Sequence, residues 1–273
     1  MAYSLLQTSP LLPGVSPVEL YYREAEGSPK ASEGAPLLFL HGGWGYEMYP
    51  YDRQIAELRS EYRCIIPDRS GYGRSTRLVA ELPGDFHYRA AIETLSIMNS
   101  LGIQRAVLWG HSDGAVIAAI IGFTAPQRVD GLILEAIHYH AQKLSSRDFF
   151  EALAYRPETL SADLRNRFER VLGTDHWRGL ITTHSKAWLQ LAKNSRGPKD
   201  DLYGGRLHEI TAPTLIIHGH RDPRTEPGEL DDVRRQLPKA EMNILEKGSH
   251  SPHSESETAD LVTSLARKFL AKI

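Results

Sequence analysis

The sequence predicts an α/β fold in which a mostly parallel central sheet has helices on both faces and a helical cap is inserted into the chain. Short apolar runs alternate with longer segments whose apolar residues have helical spacing. The runs are nearly continuous, as in strands covered on both faces. Residues 138–210 interrupt this alternation and contain no strand pattern. We therefore predict a core formed by residues 1–137 and 211–273 and a helical cap formed by residues 138–210.

The predicted strands are apolar runs that end in turn-forming residues. A segment before them, "VELYYREA" at 18–25, alternates in polarity and predicts an edge strand. The strands of the parallel sheet are predicted at 36–43, 63–68, 105–110, 129–137, 212–219 and 240–248.

The segments between these runs predict the helices. A helix from Ser112 to Ala125 follows the third run and is ended by Pro126. Ser254 and Glu257 have the spacing of a capping box, which predicts the start of the last helix. In the cap, apolar spacing predicts one helix around Leu160 to Val171 and a second from Trp177 to Trp188.

Composition excludes several classes of function. The chain has 273 residues, 32 Lys and Arg against 34 Asp and Glu, and a net charge of −2, so we expect neither nucleic acid nor an anionic membrane as partner. The single cysteine, Cys64, cannot form an internal disulfide. The first residues lack a basic segment, and prolines interrupt their apolar pairs, which argues against a signal peptide. We expect a cytoplasmic monomer or homodimer.

The stretch "VLWGHSDGAVIAA" at 107–119 places a serine where a buried strand turns sharply into a helix. Strand and helix backbones approach closely at such a turn, so the residues two before and two after Ser112 must be small, and both are glycine. The turn lifts the hydroxyl away from the sheet edge, and the helix N-terminus behind it favours an oxyanion. The alternative is a glycine-rich tight turn without chemistry.

Two further strands supply groups that a serine nucleophile needs. The run after the cap ends in "HGHRDPRTEP" and the last run ends in "EKGSHSPH". Asp222 and His250 would then lie beside Ser112 at the carboxyl edge of the sheet. Histidine takes the serine proton and returns it to the leaving group, and the carboxylate orients the imidazole.

Five motifs together resemble those of α/β-hydrolase fold enzymes over residues 18–273. They are "HGGWG" (41–45), "PDRSGYGRS" (67–75), "GHSDG" (110–114), "APTLIIHGHRDP" (212–223) and "GSHSPH" (248–253). The resemblance implies that Ser112 is the nucleophile, Asp222 the acid and His250 the base of a catalytic triad. It also implies an oxyanion hole formed by the backbone N–H groups of Asp113 and Gly43, with Trp44 as the alternate to Gly43.

Two of these assignments, the base and the acid, have a competitor in the sequence. The family places its histidine directly after a glycine-containing turn, which favours His250 over His253, and we expect His253 at the start of the last helix. Glu135, at the end of an earlier strand, is the alternative to Asp222.

Other polar residues are weaker candidates. His41, Asp68 and Arg69 are expected to hold loops together. His138 and His140 lack a nearby carboxylate or cysteine with ligand-like spacing, so we expect no metal, and we expect them to lie at the mouth of the pocket.

The substrate-binding residues that we predict are Trp44, His138, Trp177, His184 and Trp188. Asp113 has two interpretations. "GHSDG" is similar to the corresponding motif of the valacyclovir hydrolase and biphenyl hydrolase-like group, so its carboxylate could bind a substrate ammonium. Alternatively, it forms local hydrogen bonds.

The predicted activity is serine-dependent hydrolysis of a small-molecule ester without metal or organic cofactor. Serine at the elbow excludes haloalkane dehalogenases and epoxide hydrolases, which have aspartate there. Hydrolysis of aminoacyl esters or peptides, lactonase, carbon–carbon bond hydrolase and haloperoxidase chemistry all share the triad. A ligand sensor with slow turnover is the alternative outside enzyme catalysis.

Overall fold

The computed structural model describes residues 2–6, 8–25, 35–78 and 81–273. These residues form one eight-stranded sheet. Its strands are β1 (Ala2–Leu6), β2 (Val18–Glu24), β3 (Leu37–Leu40), β4 (Cys64–Pro67), β5 (Ala106–His111), β6 (Val129–Glu135), β7 (Thr214–Gly219) and β8 (Glu241–Leu245).

Helices connect most of the strands. In chain order they are α1 (Asp52–Leu58), α2 (Phe86–Ser100), α3 (Asp113–Thr124), α4 (Arg147–Tyr155), α5 (Ala162–Leu172), α6 (Trp177–Asn194), α7 (Glu229–Gln236) and α8 (Ala259–Leu270). Within the described part of the chain, no helix is both long and apolar enough to span a lipid bilayer.

The strand order is β1-β2-β4-β3-β5-β6-β7-β8. The pairs from β4 through β3 to β8 are parallel, whereas β2 is antiparallel to both β1 and β4. The predicted fold class is therefore confirmed. The prediction that 18–25 forms an edge strand is wrong, because β1, which the sequence pattern did not predict, pairs with its outer side.

Apolar residues bury both faces of the sheet. Leu38 and Leu108 point to the face covered by α2 and α3, and their neighbours Phe39 and Trp109 point to the face covered by α1 and α8. Burial of each such side chain contributes about 1.5–3 kcal/mol. Two-sided burial explains why these strands are apolar along their whole length.

Two helix predictions need correction. The last helix begins at Ala259, and its N-cap residue Thr258 makes no side-chain capping hydrogen bond, so the predicted capping box does not form. Glu255 instead accepts hydrogen bonds from the backbone of Ser249 and Ser251, in the turn before the helix. In the cap segment, α5 and α6 match the predicted helices, and α4 is an additional one.

Parallel strands place their carboxyl ends at one edge of the sheet. The loops that follow β5, β7 and β8 therefore meet above that edge, and ligand sites in open α/β sheets form at this position. The three predicted triad residues belong to these loops.

Candidate active site

Ser112 lies at the turn between β5 and α3. Its backbone adopts φ 53° and ψ −120°, outside the regions that L-residues usually occupy. A Cβ atom on Gly110 would collide with the backbone of Gly114, and one on Gly114 would collide with the backbone of Leu40. The glycines are therefore required by close backbone approach, as the motif predicted.

The predicted triad residues form one hydrogen-bonded line. The Ser112 hydroxyl lies 3.1 Å from Nε2 of His250. The other ring nitrogen, Nδ1, lies 2.8 Å from Oδ2 of Asp222. With Nδ1–H donating to the carboxylate, Nε2 carries the lone pair that accepts the serine proton.

The ionisation states suit a general base. Burial alone would raise the pKa of Asp222, but the neighbouring His250 imidazole and its hydrogen bond outweigh burial and hold that pKa well below its usual range. Burial and the positive charge of Arg224 lower the pKa of His250, while Asp222 opposes them. His250 is therefore neutral and Asp222 ionised at neutral pH.

Two contacts hold the base and the acid in place. Nε2 of His111 lies 2.8 Å from the carbonyl oxygen of His250 and donates to it. Burial lowers the pKa of His111, so its ring is neutral. Oδ1 of Asp222 accepts the backbone N–H of Arg224 at 2.9 Å, which leaves Oδ2 for His250.

The competing histidine and acid bind each other. Oε1 of Glu135 accepts hydrogen bonds from Nδ1 of His253 at 2.7 Å and from its backbone N–H at 2.9 Å. Oε2 accepts from Nε1 of Trp109 at 3.2 Å. The expectation that His253 starts the last helix is wrong, because it lies in the turn before α8.

The glycine turn after β3 is held by Arg69 and His41. The Arg69 guanidinium donates to the carbonyl oxygens of His41 and Gly42, and Nδ1 of His41 also donates to Gly42 O, at 2.7 Å. A trans peptide points its C=O and N–H in opposite directions. The N–H of Gly43 therefore points away from Arg69, and Gly42 packs beside Ser112.

The second predicted oxyanion donor is the N–H of Asp113. Asp113 is the first residue of α3, and the first N–H groups of a helix have no partner within it. Gly43, Asp113 and Ser112 line the same small cavity, together with the alternate donor Trp44.

The Asp113 carboxylate is buried among three donors. His184 Nε2 lies 2.6 Å from Oδ2, while His87 Nε2 and Trp188 Nε1 each lie 3.1 Å from Oδ1. Burial would raise the pKa of Asp113, but these imidazoles hold it well below its usual range. Local hydrogen bonding, the second interpretation of Asp113, describes what is observed.

His138 makes a contact that the sequence did not reveal. Its Nε2 lies 3.2 Å from the Ser112 hydroxyl, and its ring is stacked on His250 with centroids 5.6 Å apart. Burial lowers the pKa of His138, so the ring is neutral. His140, the other histidine of the pair, does not line the cavity above Ser112, and its Nε2 lies 2.8 Å from Oδ2 of Asp232.

Four of the five predicted substrate-binding residues line the cavity above Ser112, namely Trp44, His138, His184 and Trp188. Trp177 needs correction: it is buried in an apolar cluster that residues 138–210 form together with Trp44 and Met48, and its ring stacks on Phe168 at 5.5 Å. Trp177 and Trp188 share one helical face in the sequence, and this spacing did not show that, of the two, Trp188 alone lines the cavity. The cavity is also lined by Tyr49, Phe150 and Arg224, which were not predicted.

This cavity is small. Its volume is about 20 Å³, which is room for one water molecule. An ester with any sizeable substituent needs more space than that. The rings of Phe150 and Trp188 form part of its wall.

Comparison with known proteins identifies the family of this chain. The model of the alpha/beta hydrolase family matches residues 37–263. Human "Serine hydrolase BPHL" is 22% identical over 258 residues, covering 94% of this chain and 84% of that protein. "Putative carbamate hydrolase RutD" from Pseudomonas savastanoi is 34% identical over 235 residues, covering 80% of this chain and 87% of that protein.

Among solved structures, a thermophilic esterase from Thermogutta terrifontis superposes with a TM-score of 0.73 at 22% identity, covering 100% of this chain and 99% of that one. A likeness at this identity concerns the fold. Together with the match over residues 37–263, it leads to one conclusion: the chain belongs to the alpha/beta hydrolase family.

Proposed function

We propose that this protein hydrolyses carboxylic esters through an acyl-enzyme intermediate on Ser112. The observation that carries the proposal is the hydrogen-bonded line from Asp222 through His250 to the Ser112 hydroxyl, with distances of 2.8 and 3.1 Å. A neutral imidazole in this line is the arrangement that activates a serine.

In the first half of the reaction, Ser112 Oγ attacks the ester carbonyl carbon while Nε2 of His250 takes the hydroxyl proton. The carbonyl oxygen becomes an oxyanion, which accepts hydrogen bonds from the N–H groups of Gly43 and Asp113. The carbon–oxygen bond to the alcohol then breaks, and His250 returns its proton to the leaving alkoxide. Asp222 stabilises the imidazolium that exists between these two transfers.

In the second half, water takes the place of the alcohol. His250 removes one proton from water as its oxygen attacks the acyl carbon, and the same two N–H groups hold the new oxyanion. Collapse expels Ser112 Oγ, which recovers its proton from His250. The products are a carboxylic acid and the regenerated enzyme.

The relatives support hydrolysis more firmly than they support one bond type. Their names include a serine hydrolase, a putative carbamate hydrolase and an esterase. The alkoxide of an ester leaves more readily than the amine of an amide and needs less assistance beyond a triad and two N–H donors, so we place an ester before an amide.

The test is hydrolysis of p-nitrophenyl esters of increasing acyl length by the wild type and by Ser112→Ala. We expect turnover by the wild type and a fall in kcat of several orders of magnitude in the variant, since loss of the nucleophile lowers kcat about a millionfold in subtilisin. Equal rates for the two proteins would reject the proposal. Ser96→Ala is the matched control, because the hydroxyl of Ser96 donates to the Ile92 carbonyl within α2 and lies away from the triad.

A further inference from the structure

A second pocket lies on the outer side of the catalytic cavity. Its volume is about 340 Å³, within the range of small-molecule sites, which begins at roughly 300 Å³. Phe150 on α4 and Trp188 on α6 line both this pocket and the cavity above Ser112. The two spaces are therefore separated by these two side chains, whose rings stack at 5.8 Å.

Apolar and aromatic residues form slightly more than half of the walls of this outer pocket. Besides the two shared rings they include Leu144, Tyr155, Leu189 and Ala192. Leu144 and Tyr155 are 54% and 63% exposed, and they are two of the five large apolar side chains that are exposed in the described part of the chain. Exposed apolar residues grouped around a concave surface mark a binding site for apolar groups.

Three cations line this pocket, and two of them are paired. Lys143 is buried and binds Glu229, and Arg147 donates to Glu151 at 2.8 Å. The third is Lys193, near the end of α6. Away from Lys193, the pocket therefore offers little charge to a ligand, and recognition there depends on shape and apolar contact.

The two shared rings are held differently. Nε1 of Trp188 donates to Oδ1 of Asp113 at 3.1 Å, which fixes the indole to the core beside the nucleophile. Phe150 has no polar atom and contacts other aromatic rings, Trp188 and Phe149. Of the two, Phe150 is the side chain that can change rotamer without breaking a hydrogen bond.

We propose that the outer pocket binds the uncharged apolar part of the substrate, an alkyl or aryl group, and that Phe150 decides whether this group can reach Ser112. The inference rests on the proposed ester hydrolysis and adds the substrate class to it. Any ester must widen the inner cavity, which has room for one water molecule. An ester with a large apolar group also requires the Phe150 ring to turn aside, and that group then extends into the outer pocket.

The first experiment compares Phe150→Ala with Phe149→Ala on methyl octanoate and methyl acetate, because a p-nitrophenyl ester would itself present an aryl group. Phe149 is the adjacent residue on α4 and packs on Trp44 at 6.0 Å, which makes it a control of equal size change. We expect the octanoate-to-acetate ratio of kcat/KM to rise roughly tenfold in Phe150→Ala. The same ratio in both variants and the wild type would overturn the inference.

The second experiment measures binding without catalysis. In Ser112→Ala, calorimetry gives the affinity for 2-octanone, an uncleavable ketone, with and without Ala192→Trp, which fills the outer pocket. We expect binding to weaken at least roughly tenfold. Unchanged binding would overturn the pocket assignment. Weakened binding together with no Ser112-dependent hydrolysis would keep the site and reject the esterase function.

Discussion

His184 on α6 lies 2.6 Å, Nε2 to Oδ2, from the carboxylate of Asp113, the residue that follows the nucleophile. This bond joins the cap segment to the first turn of α3. Gly43 packs against both side chains, because a Cβ atom there would collide with the His184 ring. One buried carboxylate thus contacts α6, the glycine turn after β3 and the turn at Ser112.

The Asp113 cluster predicts a stability effect. Asp113→Asn keeps the backbone N–H but presents an amide NH₂ to at least one of three buried donors. An unsatisfied buried donor costs about 1–3 kcal/mol, so the free energy of unfolding in urea should fall by that amount. Asp85→Asn, an exposed residue paired with Arg89, is the control and should change little. Equal stability of both variants would contradict the role of the cluster.

The same cluster predicts substrate preference. Since the Asp113 oxygens already accept three hydrogen bonds, the wild type should show no preference for L-valyl over pentanoyl esters of the same alcohol. The measurement is the ratio of the two kcat/KM values. A strong preference for the aminoacyl ester, lost in Asp113→Asn, would show that the carboxylate binds an ammonium group.

The contacts of Arg69 predict that its substitution lowers the rate, although Arg69 does not line the cavity above Ser112. Its guanidinium binds two carbonyls of the glycine turn at once, and the single ammonium of lysine lacks that fork. Arg69→Lys should misplace the Gly43 N–H and lower kcat about 10- to 100-fold with KM nearly unchanged, less than the full loss of an oxyanion donor. Arg59→Lys on the surface is the control. A changed KM with normal kcat would contradict this positioning role.

The lowered pKa of His250 predicts the pH dependence of the reaction. Protonation of His250 removes the base, so kcat/KM should fall on the acid side only below pH 6.5, the ordinary pKa of histidine. Arg224→Gln removes a positive charge that lowers this pKa, so the acid limb should move to higher pH. If the acid limb of kcat/KM stays at the same pH in Arg224→Gln, or moves to lower pH, then His250 is not the group whose protonation stops the reaction.

Buried neutral histidines predict the pH dependence of stability. Burial lowers the pKa values of His41, His87, His111 and His138, so the unfolded chain binds more protons below pH 6.5 than the folded one. Stability must then fall as pH falls from 6.5, by up to about 1.4 kcal/mol per unit for each histidine. His87→Gln should flatten this slope in urea unfolding at pH 7.5 and 5.5, and an identical slope would contradict the account.

Much of the fold and the triad could be predicted because local sequence carries those features. Two-sided burial makes each parallel strand apolar, and the elbow needs glycine at both Gly110 and Gly114. Strand β1 could not be predicted, because five residues without strong alternation form a strand only when β2 offers an unpaired edge.

The polar network around the triad could not be predicted for a related reason. The contact between Ser112 and His138 and the stacking of Phe150 on Trp188 depend on how the cap segment packs on the core. His253 and Glu135 have the residue types of a triad, and their mutual hydrogen bonds separate them from it. In each of these cases the contact joins side chains from different parts of the fold, which the local sequence does not reveal.

Covalent labelling with a fluorophosphonate, followed by peptide mass spectrometry, measures directly whether Ser112 is an activated nucleophile. Ser112 Oγ forms a bond to phosphorus, fluoride leaves, and His250 takes the hydroxyl proton. If His250 activates Ser112, we predict one phosphonyl group on the peptide that contains Ser112, no label in Ser112→Ala, and much slower labelling in His250→Ala. Label on another residue, or none on the wild type, would contradict it.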